Sequence, residues 1–424
     1  MIVAKKCAMT YLHFPLGRLP CMAADKKIIS PARLSGLLAA FMPTGLFNRM
    51  TIASFSFFLR TPSGKTPVTS DILQQPLFGN TGDKHPALTM ADYFESLHQL
   101  VLAHGDSLLL QKSPGNPSPP VHCLVSSEKL GAFYHVARIE LQTDQKKVSL
   151  AVNTAISDAG RQCLATDHRL LGSRLPSAMR RFVPKILLYC GSDDENKPAA
   201  FHHLAVEWLE DFHEWHLCGT EQSNPQIALW TDKGAFPLGE RESRALLRQI
   251  AHIITLSYDW GSGAFLQQWH HAAGDFIVRY GNPALDVRLI TVRAIKPFPF
   301  LTGHDTGAQF SSLLLFLLDF SIRMRLDKLD GVGKTVWLDG FVVEETIRGF
   351  FSGLAVHRAR MGEAYETLLQ LLPSFSPDDL RQLSTPLFPF YEEQLSTPDF
   401  YEVQNNFTSH IEELTACLAE QVPG

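Results

Sequence analysis

Residues 268–280 read QWHHAAGDFIVRY and residues 287–293 read VRLITVR. A polar, His-rich loop runs into a short apolar strand. A turn holding Gly281, Asn282 and Pro283 reverses the chain, and a second short strand follows. Apolar runs bounded by Gly, Asn and Pro are strand signals, so the stretch predicts a loop and a strand pair. Helices flank it. Residues 239–259 place Glu240 and Glu242 in a first turn, where they suit the helix dipole. Leu246, Leu247, Ile250, Ile253, Ile254 and Tyr258 then make a wide apolar stripe. On the other side, about 308–327 and 341–354 read as two further helices, the second burying Val342, Ile347, Phe350 and Phe351.

Upstream the period changes from 3.6 to 2. LGAFYHVARIEL (130–141), a polar turn QTDQKK (142–147) and VSLAVNTAIS (148–157) predict a hairpin with Val148, Leu150 and Val152 on its buried face. A helix over about 159–174 follows, with Leu164, Leu170 and Leu171 inward and Asp167 read as an ordinary exposed helix residue. KILLYCG (185–191) and HLAVEWL (203–209) read as two more strands. Ahead of this module, Thr89 and Asp92 resemble a capping box for a helix carrying Leu97, Leu100, Val101 and His104, with Gly105 ending it. KSPGNPSPP (112–120) is a linker. The division predicted is an irregular extension over 1–88, with a short helix at 34–47, and helix plus linker over 89–120. A β-rich lobe then spans 121–205, a helical lobe 206–370 and a helical tail 371–424. The tail holds two copies of QLSTPxF (382–388 and 394–400), whose Pro386 and Pro398 punctuate helices. The fold class expected is α+β with two lobes.

Composition narrows the function classes. Of 424 residues, 45% are apolar and 19% charged, with 28 Phe to fill a core. Net charge is −5, and no Lys/Arg run offers a phosphate track, which argues against nucleic acid. Seven scattered Cys without a CxxC pair suggest reduced thiols, not a disulfide frame or zinc ribbon. The longest apolar run, LLLFLLDFSI (313–322), is too short and too interrupted for a membrane span. A cytoplasmic protein is expected. GVGKT (331–335) and SGKT (63–66) lack the first glycine of a P-loop and read as turns. His213 and His216, three apart, read as sharing a helix face, with His202 and His203 close in sequence; a His-cluster metal enzyme is therefore an alternative function.

The order of elements, a small β-rich lobe, a hinge strand, a helical lobe and a loop–strand–strand after its first long helix, resembles the protein-kinase-like fold, especially its aminoglycoside-phosphotransferase branch. The likeness covers roughly residues 121–355. The family's catalytic loop reads H-G-D-x-x-x-x-N before a strand. Here Asp275 falls on the metal-binding Asn, His270 on the catalytic Asp and Gln268 on the first His. The second strand's metal-binding Asp falls on Thr291, with Arg293 two residues on. The phosphate-pairing Lys of V-A-I-K falls on Asn153 in Leu150-Ala151-Val152-Asn153, and Asp167 stands where its helical Glu partner is sought. Glu207 and Leu209 lie at the hinge, where adenine meets backbone. Gly131 is the single glycine of the covering hairpin.

The resemblance implies ATP and Mg²⁺ as cofactors. Asp275 would hold metal, His270 and His271 would face the acceptor hydroxyl, and Asn153, Glu207, Leu209, Thr291 and Arg293 would surround the nucleotide in the interlobe cleft. An imidazole titrates near neutrality and can accept a proton; equally, Trp269, His270 and His271 can be a packed structural turn. Three charged positions are altered together, at Asn153, His270 and Thr291, and phosphoryl transfer rests on positioning and charge neutralisation. The reading favoured is therefore a kinase-like protein with a non-standard, inactive site that binds a nucleotide, small ligand or protein partner. An active Mg²⁺-dependent phosphotransferase is the alternative, with Arg279 and Arg293 supplying the missing positive charge.

Overall fold

Alternation in residues 135–155 does what a half-buried hairpin requires. In the computed structural model, β6 (His135–Gln142) and β7 (Lys147–Ala155) pair antiparallel, with Ile139 opposite Leu150 and Ala137 opposite Val152. The structure describes residues 54–421, except 62–63, 79–83, 113–121, 131–132, 143–146, 192–199, 220–224, 232, 270–273, 282–284, 302, 304 and 332. The expected helix at 34–47, the linker after Lys112, Gly131 and the Asn282–Pro283 turn lie outside the described residues. The chain is α+β, with strands concentrated in its first half and helices in its second. It divides into two units, residues 1–168 with 185–208, and residues 169–184 with 209–424.

The first unit is a seven-stranded sheet in the order β2-β1-β5-β6-β7-β9-β8. It comprises β1 (Phe55–Thr61), β2 (Gly64–Pro67), β5 (His122–Leu130), β6, β7, β8 (Ile186–Cys190) and β9 (His202–Glu207). Only β1 and β5 run parallel; the other pairs are antiparallel. Between β2 and β5 come a short helix α1 (Ser70–Leu73), a hairpin of β3 (Pro76–Phe78) and β4 (Lys84–Thr89), and α2 (Met90–Lys112). Thr89 and Asp92 do form a reciprocal cap: the Thr89 N–H donates to Asp92 Oδ2 at 2.8 Å and the Asp92 N–H to Thr89 Oγ1 at 3.3 Å. The helix does not stop at Gly105, which is buried within it.

α2 lays Tyr93, Leu97, Leu100 and Val101 against Phe57, Val125, Ile139, Leu150 and Val152 of the sheet in one core. Each such side chain, taken fully out of water, stabilises by about 1.5–3 kcal/mol. The far part of the opposite face is covered by α3 (Asp158–Arg169) through Leu164, packed with Ala155, Leu204 and Val206. The division predicted at residue 88 is therefore corrected. Phe57, Leu59 and Leu77 belong to this core, and β1 is an interior strand between β2 and β5. The Ser, Thr, Pro and Gly scattered among residues 54–88 break the apolar alternation and masked the pattern.

The second unit is less helical than expected. A five-stranded sheet in the order β12-β11-β10-β14-β15 contains β10 (His213–Cys218), β11 (Gln226–Thr231), β12 (Gly234–Pro237), β14 (Phe276–Arg279) and β15 (Asp286–Leu289). The expected strand pair is present, Phe276 opposite Leu289 and Val278 opposite Val287, but it extends a sheet through β10. Two small hairpins pair β13 (Phe265–Gln267) with β16 (Ala294–Lys296), and β17 (Leu326–Lys328) with β18 (Thr335–Trp337). The described part of GVGKT leads from the β17–β18 turn into β18, as read; SGKT is not a turn, since Gly64, Lys65 and Thr66 are strand β2, paired with Thr61, Arg60 and Leu59 of β1.

Helices follow: α4 (Glu240–Leu256), α5 (Thr306–Arg323), α6 (Phe341–Met361), α7 (Glu363–Leu371), α8 (Pro377–Leu383), α9 (Leu387–Gln394) and α10 (Thr397–Gln421). α4 and α6 approach closely because α6 presents glycine. A Cβ on Gly349 would lie 2.4 Å from the Ala251 Cβ and 2.5 Å from the Arg248 carbonyl. α5 is capped by Asp305, which accepts from the Ala308 N–H at 2.9 Å, and is buried from Ser312 to Ile322. The first QLSTPxF copy joins α8 to α9 and the second opens α10.

Candidate site around Asp275 and Arg293

The chain brackets its His-rich loop with two left-handed residues, Gln268 at φ 56° and Gly274 at φ 89°. Glycine adopts this conformation freely; Gln268 does so at a cost of about 1 kcal/mol or more. Trp269 is buried, edge-on to Phe276 and Phe320 at 6.5 and 6.1 Å, and anchors the loop's start. Trp269 thus packs as a structural turn requires; His270 and His271 lie outside the described residues.

Asp275, just before β14, is 2% exposed. A carboxylate that deep in protein needs compensating charge and hydrogen bonds. Arg293 supplies both: Nη1 donates to Oδ2 and Nη2 to Oδ1, each at 2.6 Å, a two-pronged guanidinium–carboxylate pair. The same Nη1 donates to the Gln268 carbonyl at 2.8 Å, so one side chain clasps both ends of the loop. The Ile290 N–H donates to the Asp275 carbonyl at 2.9 Å, holding the second strand's exit against the first strand's entry. Thr291 follows, half-buried and beyond β15.

The structure brings Asp275 and Arg293 together and sets Thr291 two residues from Arg293. It occupies Asp275 with a guanidinium on both oxygens, the oxygens a metal ion would need. Arg279 is engaged elsewhere. It donates to Asp286 at 3.0 Å and lies over Phe212 at 5.0 Å, while Arg288 meets the same carboxylate at 2.9 Å. Asp286 opens β15.

The remaining expected residues belong to the first unit, apart from Leu209, which opens a stretch of the second. Asn153 sits mid-strand on β7, half-buried, between Val136 of β6 and Leu204 of β9. Glu207 ends β9; its N–H donates to the Lys185 carbonyl at 2.9 Å, and the Trp208 N–H to the Ser149 carbonyl at 3.4 Å. Two hinge amides are thus spent within the sheet. Asp167 is not an exposed helix residue: it is 2% exposed and accepts from Tyr134 Oη at 2.6 Å. The half-buried tyrosine partner was invisible because residues 134 and 167 meet only through the fold.

The metal alternative loses its geometry in part. His213 and His216 lie on strand β10, where a separation of three puts them on opposite faces. His216 stacks on Trp230 at 3.8 Å. His202 and His203 are adjacent on β9, and His203 Nδ1 meets Thr154 Oγ1 at 3.1 Å; burial pushes its imidazole down to about 4. Among the described residues no group of three His, Cys, Asp or Glu is placed to hold a metal ion. Among them too, no helix is long and apolar enough to cross a membrane. The five described cysteines are free thiols.

Comparison with known protein families and with curated proteins gives no match.

Proposed function

We propose that the chain is a kinase-like protein that binds a nucleotide or small ligand without transferring a phosphoryl group. In this reading Arg293 is a built-in cation, standing beside Asp275 where the family places a metal ion. The observation that carries it is the two-pronged pair at 2.6 Å on a carboxylate 2% exposed.

The charge arithmetic supports the reading. Metal-dependent phosphoryl transfer needs carboxylates in excess, so that divalent cations can be held against the phosphates. Of the positions matched to the family's metal ligands, Thr291 carries no charge and Asp275 carries one, already met by one guanidinium. Asn153 brings hydrogen bonds but no charge to a phosphate. A ligand bound under these conditions gains nothing from Mg²⁺.

Calorimetry with ATP alone and with ATP plus Mg²⁺ tests this. The expected result is the same affinity in both titrations and no nucleotide turnover. Affinity that depends on Mg²⁺, or turnover abolished in a folded Asp275→Ala variant, overturns it in favour of an active phosphotransferase. No binding in either titration overturns the nucleotide reading.

A further inference from the structure

The chain leaves the first unit after His168 and returns to it at Lys185; residues 169–184 between them belong to the second unit. This strap carries a short 3₁₀ helix, Ser177–Phe182, that lies on α4 and β15. Met179 is fully buried there. The Phe182 ring stands edge-on to the His252 imidazole of α4, with centroids 5.8 Å apart. The Arg181 guanidinium lies 4.5 Å over the same Phe182 ring.

His252 is thus a meeting point of three elements. Its Nδ1 lies 3.0 Å from Ser352 Oγ of α6, in hydrogen-bond contact. α6 comes close here because Gly353 has no side chain: a Cβ would lie 2.7 Å from the Thr255 Cβ and 3.0 Å from the His252 carbonyl. His357, a turn further along α6, is 8% exposed, and its Nε2 has no partner among the described residues. Burial first, then the charges of Arg181 and His357, hold the His252 imidazole below its usual range. Burial and Arg360 act the same way on His357, against hydrogen bonds to the Thr255 and Leu256 backbone and the charge of Asp259. The other charges on these elements are matched. Asp259 pairs with Arg360 at 2.9 Å, Arg248 and Arg348 pair with Glu345 at 2.6 and 3.0 Å, and on β15 Asp286 pairs with Arg288 at 2.9 Å. Among the described residues no carboxylate offsets a charge on His252.

A proton on His252 therefore places a cation beside Arg181 and a second imidazole. Phe182 gives little relief, since Arg181 already lies over its ring. Lifting the strap away removes Arg181 and returns the imidazole to water, so the undocked state binds the proton better. By linkage, docking holds above the free imidazole value near 6.5 and weakens as pH falls below it. We infer that His252 is a proton-operated latch: neutral, it holds the 3₁₀ helix of the strap on α4, and protonated, it releases it. The inference does not rest on the reading above, since none of these residues matches a kinase motif.

Hydrogen exchange of the full chain, read by mass spectrometry at pH 7.5 and 5.5 and corrected for intrinsic exchange rates, tests the latch. Protection of peptides covering 177–182 should drop about tenfold at pH 5.5, as uptake of one proton over one pH unit below 6.5 requires. His252→Gln, whose amide can still meet Ser352, should abolish the drop. His410→Gln, a buried histidine of α10, should leave it in place. Equal protection at both pH values, the same drop in His252→Gln, or loss of the drop in His410→Gln overturns the inference. If His252→Gln loosens the strap at both pH values, Arg181→Gln decides, because that side chain is exposed. Its removal should shrink the drop, and an unchanged drop overturns the inference.

Discussion

Replacing Arg293 by Met isolates the clasp. The variant keeps the aliphatic stem and removes three hydrogen bonds: two at 2.6 Å to Asp275 and one at 2.8 Å to the Gln268 carbonyl. It also leaves the buried Asp275 without its countercharge. Breaking a buried ion pair from one side costs about 3–5 kcal/mol. The Arg293 side chain is 24% exposed, so water screens part of the pair and the low end, about 3 kcal/mol, applies. For a unit of this size that lowers the melting temperature by roughly 6–12 °C. Asp275→Asn removes the opposite charge while keeping shape. The double variant should therefore recover part of the loss, with a coupling of about 2–3 kcal/mol in a denaturant-based double-mutant cycle. Additive losses, or an Arg293→Met variant within about 0.5 kcal/mol of the native chain, would refute the clasp.

Other consequences follow from burial and packing. His410, which meets Ser321 Oγ at 3.0 Å, is held by burial and the nearby Arg325 down to about 3, and His203 to about 4. Both folded values lie below the unfolded one near 6.5, so the unfolded chain binds more protons and stability falls as pH drops below about 6.5. Each histidine should cost about 2 kcal/mol between pH 6.5 and 5, and His410→Gln should flatten that slope in melts across this range. Gly349→Val should destabilise the α4–α6 contact by about 3 kcal/mol or more, read from urea midpoints, because a Cβ there meets the Arg248 carbonyl at 2.5 Å. Ser376→Ala removes the cap of α8, in which Ser376 Oγ accepts from the Asp379 N–H at 3.3 Å, and should cost about 1 kcal/mol by the same measurement.

How much of this was legible depended on range. Local patterns read well. The β6–β7 hairpin, the stripe on α4, the apolar run of α5 and the loop before β14 follow from period and turn chemistry within a dozen or so residues. Strands β10 to β12 were missed because HEWHLC and QIALWT carry His, Trp and Gln on a covered sheet, with no clean alternation. β1 was missed because one of its two partners, β5, pairs with it from 68 residues away, and only Phe57 and Leu59 hint at a buried face.

The site divided the same way. Asp275 and Arg293 were each singled out by register against a family motif. Their pairing, which changes what both can do, spans 18 residues and a strand turn.

The central claim is that Asp275 serves as the partner of Arg293 and not as a metal ligand. Mn²⁺ binding, followed by its paramagnetic resonance in the native chain and in Asp275→Asn with ATP present, tests it most directly. Equal Mn²⁺ affinity in the two proteins is the predicted result. A protein-bound Mn²⁺ signal in the native chain that Asp275→Asn abolishes would contradict it.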